Sequence, residues 1–150
     1  MTITYFEWVD MIEKLKDAPM DDNLLKQLDD KKLDGTKYTL HKLVIHIFGT
    51  ARTRINNGFQ KFIDKLLVGQ ISNIDILSLE LVNLKKEFGF SRKIINLSII
   101  SDEEKKKCKE NLDGFIKGIC DMLEKVMVRA DISGGYISVY NKIMVSDMEE

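Results

Sequence analysis

The chain has 150 residues, 44% of them hydrophobic and 31% charged, with 23 basic and 24 acidic side chains giving a net charge of −1. That length and composition suit one globular domain with its own apolar core and exclude a wholly disordered chain. A near-neutral total removes any whole-chain electrostatic argument for nucleic acid or membrane surfaces.

No apolar run reaches the roughly 18–20 residues of a membrane span, and the start, MTITYFEWVD, has neither the basic opening nor the apolar stretch of a secretory signal. Cys108 and Cys120 are the only cysteines. On one helix they stand about 18 Å apart and cannot pair. A cytoplasmic protein with free thiols is the expectation.

In chain order, Thr4-Tyr5-Phe6-Glu7 forms a capping-box pattern, and Tyr5, Trp8, Val9, Ile12 and Leu15 follow at helical spacing. Pro19 ends that helix at or before Ala18. Asp21 and Asp22 cap a short helix carrying Leu24, Leu25 and Leu28. Asp29 to Lys32 and Asp34-Gly35 suggest an exposed exit and a turn.

The strongest periodicity comes next. Leu40, Val44, Phe48, Ala51, Ile55, Phe59, Phe62 and Leu66 recur every three or four residues, and Leu43, Ile47, Ile63 and Leu67 widen the stripe. This predicts one long helix, or two hinged at Asn56-Asn57-Gly58, with Gly69 as the C-terminal cap. Ser72-Asn73 opens a further helix with Ile74, Leu77, Leu81 and Leu84 on its face and Gly89 as its stop. Residues 91–100 read as a short helix, with a strand as the alternative. Ser101-Asp102-Glu103-Glu104 is a second capping box, and a continuous apolar face runs from Cys108 to Met127. Ser133-Gly134-Gly135 breaks the chain before a last element at 136–145, and the acidic end is expected to fray. The fold expected is an all-α bundle of five to seven helices. A short strand pair at 93–100 and 136–145 is its one alternative feature.

The charge is uneven along the chain. Residues 1–35 sum to −4, residues 36–70 to +5 and residues 101–150 to −3. The central excess comes from Lys37, Lys42, Arg52, Arg54, Lys61 and Lys65 against one acidic residue. It is either a track for phosphates or a face neutralised by acidic helices packed beside it. Leu81–Ile100 resembles a helix–turn–helix: Gly89 would form the turn, Ser91 the cap, and Arg92-Lys93 the base-contacting start of a second helix. Lys85 departs from the small residue such a motif needs, and Ser98 from an apolar one. On this reading Lys85, Lys86, Arg92 and Lys93, with Arg52, Arg54, Lys61 and Lys65, contact nucleic acid.

Other chemistries have thin support. His41 and His46 lie about 140° apart around a helix, so they do not share a face. The stretch TLHKLVIHIFG resembles the first-histidine region of DinB-like four-helix bundles, a resemblance that implies a metal held by three histidines on separate helices. This chain has two histidines, both here, so other ligands would be required. Glu7 with Asp10, Glu110 with Asp113, and Asp121 with Glu124 have the i, i+3 spacing that all-helical nucleotide pyrophosphatases use to hold magnesium, but each pair has a member off the apolar stripe. No phosphate-binding glycine motif occurs. Gly114 and Gly118 form a G-x-x-x-G that suits close helix approach, within the monomer or across a dimer. No catalytic residue, metal site or cofactor is predicted. The expectation is a non-enzymatic interaction or regulatory protein acting through helical faces on a protein partner or a second copy, and not on a membrane. The alternatives are a nucleic-acid-binding regulator and a magnesium-dependent nucleotide hydrolase.

Overall fold

A computed structural model describes residues 2–29, 32–33, 37–130 and 135–145. The expected turns at Asp34-Gly35 and Ser133-Gly134, the acidic end and the side chains of Lys37 and Leu40 lie outside the described part. The fold is all-α. Its elements are α1 (Tyr5–Lys14), α2 (Asp22–Asp29), α3 (Lys37–Leu67), α4 (Ile74–Ile94), α5 (Asp102–Ala130) and α6 (Tyr136–Tyr140), which continues as a π-helical turn over Asn141–Val145. Two two-residue strands, β1 (Thr2–Ile3) and β2 (Lys32–Leu33), pair in parallel.

Local chemistry accounts for several boundaries. Thr4 and Glu7 close a reciprocal capping box at the start of α1, satisfying donors a helix start leaves open. Asp21 accepts from Asn23 N at 2.9 Å ahead of α2. Asn73 caps α4 through Ile76 N at 2.9 Å, and Ser101 Oγ accepts from Glu104 N at 3.3 Å to open α5. At the end of α3, Gly69 has φ +78°. Gln70 N donates to Lys65 O and Gly69 N to Leu66 O, the paired bonds of a Schellman ending that favours glycine.

α3 is a single unbroken helix of 31 residues, so no hinge forms at Asn56-Asn57-Gly58. Gly58 serves packing instead: a Cβ there would lie 3.2 Å from Leu84 Cδ1 on α4. The α3–α4 ion pairs run Arg54 to Glu87 and Lys65 to Glu80. Partner numbers fall as α3 numbers rise, so the two helices are antiparallel. His41 faces Glu104 and Arg52 lies over Phe115, so α3 and α5 run parallel. α6 contacts both α4 and α5. There Tyr140 Oη donates to Cys120 O at 2.8 Å, and burial first of all raises the phenol's pKa. One core joins Trp8 and Ile12 of α1, Leu28 of α2, Leu43, Ile47 and Ile55 of α3, Leu77, Leu81 and Phe88 of α4, and Leu112, Ile116 and Leu123 of α5.

Three expectations are corrected. Gly89 does not stop α4, which continues to Ile94. Phe88, Phe90, Ser91 and Ile94 around it are buried, and their packing outweighs the roughly 1 kcal/mol that an interior glycine costs. The helix–turn–helix of 81–100 therefore does not form: Arg92 and Lys93 sit in the last turn of one helix, not the first turn of a second. Nor do 93–100 and 136–145 pair as strands. The first is the end of α4 followed by turns, and the second is helical. Leu97 and Ile100 are buried without strand pairing, so their apolar pattern reflects core contact.

Candidate functional site

The basic residues of the central segment are dispersed by the fold. Arg54 is 5% exposed. Its Nε and Nη2 each donate to Glu87 at 3.0 Å. Its Nη1 donates to Leu15 O and to Ala18 O, closing the C-terminal end of α1. Its guanidinium stacks 4.7 Å above the Phe90 ring. Each of its three side-chain nitrogens thus donates internally, as burial of a charge requires. Lys65 Nζ donates to both oxygens of Glu80 at 3.0 Å. Arg52 is exposed, 4.7 Å from the Phe115 centroid. Lys85 donates to Ile143 O at 3.0 Å. Arg92 pairs with Asp113 at 3.5 Å, and Lys93 with Asp22 at 3.0 Å. Lys86 and Lys61 are exposed. The eight residues thus form no single track: most face acidic groups or carbonyls of neighbouring helices.

The remaining candidates are likewise separated. His41 points to Glu104 on α5 at 3.6 Å, while His46 lies 3.2 Å from Glu13 on α1. Asp10 pairs with Lys14, Glu7 closes the α1 cap, and Asp113 faces Arg92. Among the described residues no three His, Cys, Asp or Glu side chains converge as a metal site would need. Cys108 and Cys120 are buried, and desolvation leads in raising both thiol pKa values, so neither has the lowered pKa of a reactive cysteine. Gly114 and Gly118 are exposed on α5, and a Cβ on either would touch nothing. Among the described residues they therefore mediate no helix approach within the monomer.

Two surface features stand out. The first is a polar cleft of about 560 Å³ where α3, α4 and the segment after α1 meet. Asn57 and Lys61 line it from α3, Asn83 from α4, and Phe62 and Leu84 are among its apolar lining. The ion pairs Arg54–Glu87 and Lys65–Glu80 flank it along the helix axes. The second is an apolar end, where the close of α3, the close of α5 and the start of α6 meet. Leu66, Leu67, Ile71, Val126 and Tyr136 surround a groove there. Leu67 is 78% exposed and the adjacent Val68 is 69% exposed. Tyr136 Oη donates to Ile71 O at 3.3 Å, and Ile74 lies against Gly135, which ties the start of α6 to the connection between α3 and α4. The apolar periodicity of α3 places Leu67 inside the stripe. It falls instead on the last turn of α3 with its side chain largely exposed.

Sequence reasoning missed Asn57, Asn83 and the carboxylates Glu80 and Glu87. The i, i+3 and i+7 placement of Glu80, Asn83 and Glu87 on α4 is a visible signal, since it aligns three polar groups along one side of a helix. The chain matches no protein-family model, no curated protein and no solved structure. Among the described residues no helix is long and apolar enough to cross a membrane.

Proposed function

We propose that this chain is a non-enzymatic interaction protein that docks a protein partner, or a second copy of itself, through the apolar end of the bundle. The observation that carries this reading is the pairing of Leu67 and Val68, both largely exposed, with the groove formed by Leu66, Ile71, Val126 and Tyr136. Scattered exposed apolar residues are ordinary, whereas adjacent ones beside an apolar groove are the surface that association buries. Arg129 at the groove edge supplies the polar rim typical of such contacts.

The test places a photo-crosslinking amino acid at Leu67 and, as control, at Lys107 on α5. The full chain is then irradiated alone and in cell extract. A discrete adduct from position 67 and not from 107 is the expected result, with a self-adduct marking the homodimer. No discrete adduct from position 67 under either condition overturns the reading. The nucleic-acid alternative predicts affinity for mixed DNA and RNA that falls steeply with salt. The dispersed cations favour a flat titration.

A further inference from the structure

We propose that the cleft between α3 and α4 binds a small organic oxyanion, with the Lys61 ammonium as its counter-charge and the Asn57 and Asn83 amides as hydrogen-bonding partners. The inference goes beyond the docking role and uses different residues. Asn57, Lys61 and Lys65 succeed one another at i, i+4 on α3, so they form one row along the cleft. In the antiparallel register set by Arg54–Glu87 and Lys65–Glu80, Asn83 falls between those two pairs, opposite the Asn57–Lys61 turn. Both cleft carboxylates on α4 are already engaged at each oxygen: Glu87 by Arg54, and Glu80 by Lys65. The cation of each pair is likewise held. Lys16, a third lining cation, is paired with Glu13. Lys61 is the lining cation with no ion-pair partner among the described residues.

The walls are fixed before any ligand arrives. Arg54 ties α4 to α3 and to the end of α1, and Gly58 holds α3 against Leu84. A preformed cleft of this size suits a small molecule, and its few polar groups set orientation while apolar lining accepts the ligand body. Phe62 and Leu84 supply that apolar surface. Asp17 lines the cleft as well, and is exposed. Its charge opposes an anion, which makes it a second handle on the sign of the ligand.

The experiment titrates inorganic phosphate, AMP and citrate into the 15N-labelled full chain and follows the side-chain amide signals of Asn57 and Asn83. A saturable shift with at least one probe is expected. Citrate alone marks a carboxylate ligand, phosphate and AMP together mark a phosphate, and AMP above phosphate marks use of the apolar lining. Lys61→Ala should weaken binding at least tenfold while its unliganded spectrum stays that of the folded protein. Asp17→Asn should tighten binding severalfold. No saturable shift with any probe, equal binding by Lys61→Ala, or weaker binding by Asp17→Asn overturns the proposal.

Discussion

Arg52 and Arg54 are two residues apart on one helix and live in opposite surroundings. Arg54 turns toward α4 and α1, where Glu87, two carbonyls and the Phe90 face enclose it. Arg52 turns toward α5 and lies exposed over Phe115. An internal charge must have all its donors satisfied, whereas a surface cation keeps water as an alternative partner. The α4 side of α3 is therefore specified by polar geometry, and the α5 side tolerates exchange. The helix directions account for this difference. The short connection from Gly69 to Asn73 returns the chain antiparallel to α3, bringing Glu80 and Glu87 opposite Lys65 and Arg54. α5 arrives later and parallel, and its charged contacts with α3 are peripheral.

The comparison breaks most directly at Arg54. Arg54→Ala leaves Glu87 without its cation and frees the carbonyls at the end of α1. A loss of about 3–5 kcal/mol is expected in denaturant unfolding. Pairing Arg54→Met with Glu87→Leu should recover part of it, because apolar packing can replace a buried ion pair while the Leu15 and Ala18 carbonyls stay without their donor. Next comes Gly58→Leu. A side chain at the 3.2 Å approach to Leu84 must push α3 from α4, at about 1–3 kcal/mol. On the opposite side, Arg52→Ala should cost no more than about 1 kcal/mol, the range of an exposed cation–aromatic contact. A loss like that of Arg54→Ala would erase the contrast between the two sides.

The smallest expected effect is a pH dependence. The Lys16 hydrogen bond leads in lowering the Glu13 pKa from its ordinary value of 4.5, against some desolvation, with His46 adding to the lowering. A folded-state pKa below the unfolded one stabilises above the unfolded value, and that contribution disappears as pH falls through the lowered one. Unfolding midpoints measured from pH 6 down to pH 3 should therefore fall less steeply in Glu13→Gln than in the parent chain.

Much of the architecture was legible from local patterns. The Thr4–Glu7 box, the Asn73 cap and the Gly69 ending each depend on residues within one or two turns, so spacing alone revealed them. The positions of Leu43, Ile47, Ala51 and Ile55 in the core also followed from periodicity. Gly89 misled because a glycine ends a helix only where the chain adopts positive φ, and buried Phe88 and Phe90 on either side hold this one in the helix. The candidate site was less legible. Spacing along α3 points to Lys61 and Lys65 as phosphate contacts, but the groups across the cleft, Asn83 and Glu80, come from a different helix.

The sequence by itself determined an all-α chain, the caps that delimit its helices, the uneven charge beneath a total of −1, and free cysteines placed on an apolar face. Only the tertiary structure decided what the +5 segment becomes. Helical spacing places side chains around one axis but carries no information on which helix stands opposite. The antiparallel return of α4 takes Arg54 into the interior and Lys65 to Glu80, leaving Lys61 facing the cleft and Leu67 facing solvent.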